Sequence, residues 1–333
     1  MIRDLAIFGP YPPPLGGISV HIQRIESFLL KENIDYRIYN HGFIENDKVI
    51  STNKSFFWYI KLLFVKRFKV FHFHQFFFFH FLYFFIFSWI RKEKVLITIH
   101  SERILTYSKI KKRLVVFFIS KSNKLRVISV SKNLNDWLNS FDIPSVFLPA
   151  YVPPNKVVEK HLNITKPLFL FSVWKFNEEL ANEIYNVPLA FEYLKRHKSK
   201  WAMLFMIGSK KSSELEYLNY LINKYDIRDS VQLIFDENLV DYISNCKFIL
   251  RPNLSDGYGV SLQESMDLGV PAIASDVCER PKGTILFKNN NIEDLSVKVN
   301  FTMTTPRKEI LQKKEELKYH LKLIDFYLEL IKQ

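Results

Sequence analysis

Short apolar runs alternate along the chain with longer stretches in which apolar residues recur every three or four positions. Such runs are typical of strands buried on both faces, and the longer period is typical of amphipathic helices. In the first half the predicted strands are LAIF (5–8), YRIY (36–39), VFHF (70–73), VLITI (95–99), LRVISV (125–130) and SVFL (145–148). A helix is predicted over 19–30, where apolar positions 22, 25, 28 and 29 share one face. This order predicts a parallel sheet with helices on both sides.

The same order restarts after a Pro-rich stretch, LPAYVPPNK (148–156), which we interpret as a linker. The predicted strands of the second half are LFLFSV (168–173), AMLFMI (202–207), VQLIF (231–235), FILRP (248–252) and PAIAS (271–275). We therefore expect an α/β chain of two doubly wound, Rossmann-like domains, over 1–150 and 151–312. The remaining segment, 313–333, is predicted to hold one amphipathic helix over 313–332, with apolar positions at 317, 321, 324, 328 and 331.

Composition agrees with two folded domains in a reducing compartment. The chain has 333 residues, of which 48% are apolar, enough to bury two cores. Cys246 and Cys278 have neither disulfide-framework nor metal-ligand spacing, so we expect a cytosolic protein. The N-terminal run MIRDLAIFGPYPPP carries charges and lacks a small-residue cleavage site, so we interpret it as a first strand rather than a signal peptide.

The net charge of +13 is concentrated in one region. Residues 54–126 contain 16 Lys and Arg and only 2 Asp and Glu, together with a large share of the 31 Phe, whereas the rest of the chain is nearly neutral. Such a region is typical of contact with nucleic acid or with an anionic membrane, or it is a solvated basic face over a Phe-rich core. The chain contains no recognised nucleic-acid motif, so nucleic acid is not the expected partner.

The aromatic run at 76–90 predicts attachment to a membrane surface rather than a span. Its 15 residues are interrupted by His80 and followed by RKEK, and about 20 apolar residues are needed to cross a bilayer. We therefore interpret it as a buried or interfacial helix.

The stretch GPYPPPLGGISVH (9–21) follows the first predicted strand and turns through proline before a helix. Gly16 and Gly17 would allow close backbone approach, and the helix start would offer free amides to an anion or a sugar. The alternative is a long loop with no binding role. No G-x-G-x-x-G is present, so a dinucleotide cofactor is not predicted.

Two predicted strands end in histidine, at His74 and at His100. His100 precedes Ser101 and Glu102 and is a candidate for hydrogen bonding to a substrate hydroxyl or for stabilising charge. A histidine that only satisfies its own structure is the alternative for both. Without a third ligand the spacing does not predict a zinc site, and no metal is expected.

The most informative stretch is RPNLSDGYGVSLQESMDLGVPAIASD (251–276). Gly257 and Gly259 permit tight turns after a strand, Ser261 is predicted to begin a helix, and Gly269-Val270-Pro271 is predicted to end it. The sequence Ser261-Leu262-Gln263-Glu264 has the form of a capping box, which would give Glu264 a purely local duty.

The functional alternative for the same stretch is a site for a phosphorylated ligand. Amides at Gly259, Val260 and Ser261 would hold a diphosphate, and Glu264 and Asp256 would accept hydrogen bonds from ribose and sugar hydroxyls. Three basic side chains lie at or after predicted strand ends and would supply the cations, or are ordinary surface charges: Arg251, Lys175 and Arg280.

These motifs together resemble the GT-B glycosyltransferases, specifically family 4, the retaining nucleotide-sugar enzymes. GPYPPPLGG is similar to the acceptor-side glycine loop, FHFH and TIH to its two histidine-bearing strands, and VISVSKNLNDWL to its strand-Ser-helix unit. Asp256 and Glu264 match the Glu-x7-Glu pair, with Asp in the first place. The run 251–283 is similar to a subgroup with RP-x3-DG-x3-S-x2-E followed by SD-x3-RP-x-G.

The resemblance implies two Rossmann-like domains facing a cleft, with the C-terminal helix crossing back to the first domain. It implies that Asp256 contacts the donor sugar, that Glu264 contacts the ribose and that His100 lies beside the transferred sugar. Retention of anomeric configuration would follow a front-face route assisted by the leaving phosphate, so no nucleophile is nominated. The resemblance implies no metal and no cofactor, because basic side chains and helix dipoles would stabilise the leaving diphosphate.

The chain departs from the family in one stretch, 172–191. The family has an Arg and a Lys in G-R-x(n)-K-G, whereas here Lys175 occupies the Arg place and Tyr185-Asn186 stand where Lys-Gly is expected. Arg251 and Arg280 would compensate for the missing charge. If they do not, the alternative is a non-catalytic GT-B-like subunit that organises an active partner enzyme.

The leading hypothesis is a cytosolic glycosyltransferase peripheral to the inner face of the membrane. It would move a sugar from a nucleoside diphosphate, UDP or GDP, onto a carbohydrate acceptor in bacterial O-antigen or capsule synthesis. The basic, Phe-rich first domain favours a lipid-linked acceptor, such as a polyprenyl-linked sugar, at an anionic membrane surface.

Overall fold

The chain divides into two compact units. The computed structural model describes residues 2–13, 15–40, 42, 45–52, 68–74, 78–122, 124–162, 165–210, 214–312, 314 and 318–332, without the side chain of Arg103. Unit 1 comprises Met1–Pro13, Gly17–Val152 and Lys318–Gln333, and unit 2 comprises Pro14–Gly16 and Pro153–Leu317.

Unit 1 contains a seven-stranded, wholly parallel sheet with the order β3-β2-β1-β4-β5-β6-β7. Its strands are β1 (Arg3–Gly9), β2 (Tyr36–Asn40), β3 (Val49–Ser51), β4 (Phe68–His74), β5 (Lys94–Ile99), β6 (Leu125–Ser129) and β7 (Ser145–Phe147). Its α-helices in the described ranges are Gly17–Lys31, Phe78–Ile90, Lys109–Ser120, Lys132–Asn139 and Tyr319–Lys332.

The apolar residues of these strands build a core on each face of the sheet, because successive side chains point to opposite faces. On β1, Ala6 and Phe8 belong to the core between the sheet and the helix Phe78–Ile90. Leu5 and Ile7 belong to the other core, which receives the helices Gly17–Lys31 and Tyr319–Lys332. Because both faces of each strand are buried, the strands need continuous apolar runs, as is usual for parallel sheets covered on both sides.

Unit 2 contains a six-stranded, wholly parallel sheet with the order β10-β9-β8-β11-β12-β13. Its strands are β8 (Leu168–Val173), β9 (Ala202–Ile207), β10 (Val231–Phe235), β11 (Cys246–Arg251), β12 (Ala272–Ser275) and β13 (Ile285–Phe287). Its α-helices in the described ranges are Glu178–Glu183, Val187–His197, Leu215–Lys224, Val260–Asp267, Ile292–Thr304 and Arg307–Leu311.

The prediction of two doubly wound, parallel-sheet α/β domains is confirmed. The sequence pattern missed β3 and β13, each of which has three residues and lies at the edge of its sheet. Runs of three residues give only a weak strand pattern: β7, of the same length, was predicted as SVFL (145–148), whereas β3 and β13 were not. None of the helices in the described ranges is long and apolar enough to cross a membrane.

The C-terminal helix Tyr319–Lys332 packs within unit 1, and its buried face overlaps the predicted one in part. The buried side chains are His320, Leu323, Ile324, Tyr327 and Leu330. Leu321, placed on the buried face by the apolar pattern, is 42% exposed. The prediction is confirmed at Ile324, which is buried, and at Leu328 and Ile331, which pack against the core, and it is wrong at Leu321. The apolar pattern also left out two buried residues with polar rings. The hydroxyl of Tyr327 lies 2.5 Å from Nδ1 of His72, and the ring of His320 packs against Phe28.

Candidate functional site

The helix Val260–Asp267 begins at a left-handed glycine and not at a capping box. Gly259 occupies the N-cap position with φ of +82°, a conformation that favours glycine, and no described side chain caps the helix. Ser261 is the second helical residue, and its hydroxyl accepts a hydrogen bond from Nη1 of Arg251 at 3.3 Å. The capping-box prediction was therefore wrong, whereas the predicted stop is confirmed, since Gly269 follows the helix with φ of +78°.

Asp256 lies between two arginines that the fold brings from different strands. Arg251 ends β11, and Arg280 follows β12. The Oδ1 atom of Asp256 accepts from Nη2 of Arg251 at 2.8 Å and from the Gly257 amide at 3.0 Å. Its Oδ2 atom accepts from Nε of Arg251 and from Nη1 of Arg280. These bonds use the roughly four acceptor positions of a carboxylate. We call Arg251, Asp256 and Arg280 the arginine–aspartate cluster.

The cluster carries a net charge of one positive unit in a largely buried setting. Burial would raise the pKa of the Asp256 carboxyl, but the charges and hydrogen bonds of Arg251 and Arg280 outweigh it and hold that pKa well below its usual range. Burial would lower the pKa of Arg251, and the opposing attraction of Asp256 raises it. Asp256 and Arg251 are therefore charged at neutral pH, and since an arginine side chain is not deprotonated in proteins, two guanidinium ions share one carboxylate.

The two arginines differ in their access to solvent. The Arg280 side chain is 1% exposed, and two more of its donors bind Ser275: Nε donates to the carbonyl at 3.1 Å and Nη2 to the hydroxyl at 3.3 Å. The hydroxyl of Ser275 donates in turn to the carbonyl of Asn253. The Arg251 side chain is 20% exposed. Arg280 therefore anchors the cluster, and Arg251 is the cation that a ligand can reach.

Tyr185 lies close enough to this cation for the charge of Arg251 to act on its phenol. The side chain is buried, which raises the pKa of its phenol, while the charge of Arg251 and the backbone amides of Trp174 and Lys175 act in the opposite direction. Asn186 follows it in the left-handed conformation, with φ of 52°. Left-handed backbone suits the glycine of the Lys-Gly pair that the resemblance leads us to expect, and asparagine tolerates it better than most residues.

Other residues proposed from the sequence lie apart from the cluster or beside its helix. The Lys175 ammonium lies 4.3 Å above the Trp174 ring, and among the described residues no contact joins it to the cluster. A Cβ at Gly16 would lie 2.5 Å from Nε1 of Trp174, so this glycine allows close packing in unit 2. Gly17 begins the helix Gly17–Lys31 in unit 1, where a Cβ would meet no described atom within 4 Å.

The remaining residues of this stretch lie on the helix that starts beside the cluster. Val260 is the first residue of the helix Val260–Asp267, and Glu264 lies one turn later. The Glu264 side chain is buried, with 6% of the residue exposed.

A second group of polar residues lies in unit 1, where four histidines meet. The strand β4 contributes His72 and His74, His100 follows β5, and His21 lies on the helix Gly17–Lys31. Nδ1 of His74 lies 2.9 Å from Nε2 of His100, and Nε2 of His72 lies 2.8 Å from the Thr98 hydroxyl. In the described part of the chain, no group of three or more His, Cys, Asp or Glu is arranged to hold a metal ion. We call these residues the histidine cluster.

Three imidazoles of the histidine cluster, those of His21, His72 and His100, are uncharged at neutral pH. Burial lowers the pKa of His21 to about 4, against the opposing effect of its hydrogen bond to the Ala150 carbonyl. Burial, with the neighbouring His21, lowers the pKa of His72 and of His100 well below the ordinary value. These imidazoles can therefore exchange hydrogen bonds with a ligand or with one another but do not carry charge at pH 7.

Acidification should therefore destabilise unit 1. The unfolded chain binds a proton at His21 near pH 6.5 and the folded chain only near pH 4, so stability falls as the pH drops through that window. His21 alone accounts for about 3 kcal/mol of unfolding free energy at the acid end. Urea unfolding across this pH range checks it, with His161→Gln as an exposed-histidine control. A slope that is unchanged in His21→Asn would contradict the assignment.

Sequence reasoning missed several residues of these two sites. His21 and His72 belong to the predicted helix 19–30 and the predicted strand 70–73, but a linear pattern does not show that a helix residue packs against the ends of two strands. Ser275 was noted only as part of an SD pair, although it is the buried anchor of Arg280. Tyr185 was noted as a departure from a motif, and its position beside Arg251 required the folded chain.

Comparison with known proteins connects unit 2 with sugar transfer. Residues 156–318 match the family model described as Glycosyl transferases group 1. The chain has no match among curated proteins.

Solved structures share the fold over nearly the whole chain. A sucrose-phosphate synthase from Thermosynechococcus elongatus is 14% identical, with a TM-score of 0.74 and 99% of both chains covered. Anabaena HepE, solved in complex with UDP-glucose, is 10% identical, with a TM-score of 0.71 and 98% and 99% covered. WaaG, a glycosyltransferase involved in lipopolysaccharide biosynthesis, is 12% identical, with a TM-score of 0.66 and 97% and 99% covered. The matched domain and the shared fold together support a GT-B glycosyltransferase.

Proposed function

We propose that this GT-B glycosyltransferase moves a hexosyl group from a nucleoside-diphosphate sugar, UDP- or GDP-linked, onto a lipid-linked carbohydrate acceptor. The reaction is retaining and needs no metal. The setting is bacterial surface polysaccharide synthesis, of O-antigen or capsule, at the cytoplasmic face of the membrane. The observation that carries the proposal is the arginine–aspartate cluster at the start of the helix Val260–Asp267, inside the domain that matches glycosyl transferases group 1.

Sugar transfer develops negative charge on the leaving nucleoside diphosphate, and the cluster supplies groups that stabilise it. Arg251 offers a guanidinium ion, and the amides at Gly259, Val260 and Ser261 offer the positive end of the helix dipole. The positive charge is held in place before the reaction, so no reorganisation is needed when the bond between the sugar and the diphosphate breaks. A leaving phosphate oxygen on the same face as the acceptor then takes the acceptor proton, and retention follows without a protein nucleophile.

Asp256 acts in this proposal through the arginines. Its carboxylate accepts from Arg251, Arg280 and the Gly257 amide, so its acceptor positions are filled. We assign it as a positioning residue, in place of the direct sugar contact that the resemblance implies. Without it, two guanidinium ions would lie together unneutralised, and Arg251 would not be aimed at the diphosphate.

The other residues keep the roles that the resemblance implies, refined by their chemistry. Glu264 accepts from the ribose hydroxyls. His100 hydrogen-bonds a hydroxyl of the transferred sugar as a neutral imidazole, and its bond to His74 fixes the ring. Lys175 supplies a further cation to the diphosphate, and Gly16 and Gly17 serve the acceptor side.

The substrate classes are supported by the neighbouring structures. HepE binds UDP-glucose in its crystal structure, which favours a UDP-sugar donor among the two candidates. WaaG takes part in lipopolysaccharide biosynthesis, and WaaB is a lipopolysaccharide outer core galactosyltransferase, which favours a surface-glycan acceptor.

A donor panel tests the proposal. UDP-, GDP- and dTDP-sugars are screened by ligand NMR and by slow donor hydrolysis, and we expect one nucleotide class to respond. Glu264→Gln should weaken the binding of that donor roughly tenfold to a hundredfold, because one or two charge-assisted hydrogen bonds are lost. Glu216→Ala, at an exposed glutamate of unit 2, serves as the control and should bind as the wild type does. The proposal fails if no nucleotide sugar binds.

The alternative is a non-catalytic subunit that organises an active glycosyltransferase. One observation favours it: Tyr185, an uncharged residue, is buried beside Arg251 where the family has a lysine. A protein that binds the nucleotide sugar but neither hydrolyses nor transfers it, with any acceptor, would support this alternative over the enzyme.

A further inference from the structure

The helix Phe78–Ile90 in unit 1 exposes an apolar stripe. Its inner face, with Phe81, Phe84 and Phe87, is buried in the core. Its outer face carries exposed apolar residues spaced three, four and three positions apart: Phe79 at 77%, Leu82 at 40%, Ile86 at 39% and Trp89 at 84%. None of its 13 residues is charged. A helix on a water-facing surface ordinarily presents charged and polar residues there, so this stripe indicates a contact surface.

The helix Lys109–Ser120 extends the stripe and adds positive charge. The two helices pack together, with the Phe85 ring 6.1 Å from Phe117 and 5.7 Å from Phe118. Its exposed apolar residues are Ile110 at 73%, Phe117 at 48% and Leu114 at 40%. Its charged residues are all basic: Lys109, Lys111, Lys112 and Arg113. We call the outer surface of these two helices the apolar–basic face.

We propose that the apolar–basic face is an in-plane membrane anchor that inserts its apolar stripe into an anionic phospholipid surface. The inference rests on the proposed function, since a lipid-linked acceptor requires the enzyme at a bilayer, and it specifies the part of the chain that makes the contact. The helix Phe78–Ile90 is about 20 Å long, shorter than the hydrocarbon core, so it lies in the interface.

The charges and the residue types of the apolar–basic face favour an anionic membrane as its partner. Phospholipid headgroups of an anionic leaflet attract lysine and arginine, whereas neither helix offers an acidic side chain to a basic partner. Trp89, near the end of its helix and followed by the exposed Lys92, is the residue type that favours the headgroup level. A second copy of the chain is disfavoured, because pairing the two faces would bring the basic side chains of both helices together.

Vesicle sedimentation tests the anchor. The full chain is mixed with phosphatidylcholine vesicles, with or without added phosphatidylglycerol, at low and high salt. We expect binding to the anionic vesicles that weakens with salt. The double variant Phe79→Ser/Trp89→Ser should lower the partition coefficient about tenfold or more, through lost apolar burial. Lys109→Glu/Arg113→Glu should lower binding to anionic vesicles by a similar factor.

Matched variants keep the result interpretable. Val297→Ser/Phe301→Ser removes exposed apolar residues from the helix Ile292–Thr304 in unit 2 and should bind vesicles like the wild type. Circular dichroism and thermal melting exclude misfolding of each variant. Binding of the wild type to no vesicle at low salt, or equal binding by Phe79→Ser/Trp89→Ser, would overturn the anchor. So would a change in oligomeric state, measured by light scattering, as the sole effect of that variant.

The anchor and the proposed function fail in different experiments. The anchor variants should hydrolyse the donor in solution at the wild-type rate, and Glu264→Gln should sediment with vesicles like the wild type. A chain that binds vesicles through this face but binds no nucleotide sugar would refute the function and leave the anchor intact. A chain that transfers sugar but does not bind vesicles would refute the anchor and leave the sugar-transfer function intact.

Discussion

Replacing Arg251 with methionine should lower the rate of sugar transfer about 10²- to 10³-fold, the usual loss when one group that stabilises transition-state charge is removed. Arg251 is the accessible cation of the arginine–aspartate cluster, and Tyr185 beside it adds no charge. Arg251→Lys keeps the charge but loses the paired bonds to Asp256, so we expect a smaller loss of about tenfold. The measurement is kcat with the donor identified by the panel.

The control for this prediction is Arg228→Met, which removes an exposed arginine of unit 2 outside the cluster. Tyr185→Lys in the Arg251→Met background adds a diagnostic. If the Arg251→Met variant is slow because it lacks a cation near the diphosphate, the lysine at position 185 should recover part of the rate. A kcat within about threefold of wild type in Arg251→Met would refute the role assigned to the cluster.

Replacing Asp256 with asparagine should destabilise unit 2 by about 3–5 kcal/mol, the cost of breaking a buried ion pair by removing one partner. Arg280, with a 1% exposed side chain, would then lie beside Arg251 without a neutralising carboxylate. For a unit of this size, the loss corresponds to a fall in melting temperature of roughly 10 °C. Circular dichroism and urea titration measure it.

A double variant and the pH dependence test whether the ion pair causes the loss of stability in this second prediction. Asp256→Asn combined with Arg280→Met removes the carboxylate together with one of the cations, and it should cost less than the two single variants added. Because the pKa of Asp256 is held well below its usual range, the contribution of this carboxylate is complete above the unfolded value of 3.8 and is lost only as the pH falls through its folded value. The difference between wild type and variant should thus be constant near neutral pH. Equal melting temperatures would contradict the ion-pair account.

The fold could be predicted from the sequence where burial on both faces forces continuous apolar runs. The spans 168–173, 202–207 and 231–235 were predicted with the bounds that the structure has for β8, β9 and β10. Pattern missed two of the three-residue edge strands, β3 and β13, and it failed where rings of polar residues are buried. His320 and Tyr327 set the buried face of the C-terminal helix, and a hydropathy pattern does not count them as apolar.

The candidate site was predictable in composition but not in geometry. Glycine, serine and acidic residues after a strand indicated an anion site, and Arg251, Asp256 and Arg280 were all nominated. Their mutual pairing was not, because it depends on adjacent parallel strands bringing residues 24 positions apart within hydrogen-bond range. The helix start was misplaced for a related reason. A left-handed glycine can replace a side-chain cap, and this leaves the Ser261 hydroxyl to Arg251.

The packing of the helix Tyr319–Lys332 within unit 1 has a consequence for how the chain is made. Translation produces the described strands of unit 1 first, then residues 153–317 of unit 2, and only then the helix that packs on the core of Leu5, Ile7 and Val70. The hydrogen bond between His72 and the hydroxyl of Tyr327 likewise forms late, because Tyr327 is synthesised 255 residues after His72. Synthesis of unit 2 therefore ends before the last helix of unit 1 is made. A chimera that exchanges the first domain between related enzymes must take residues 318–333 along with 1–152.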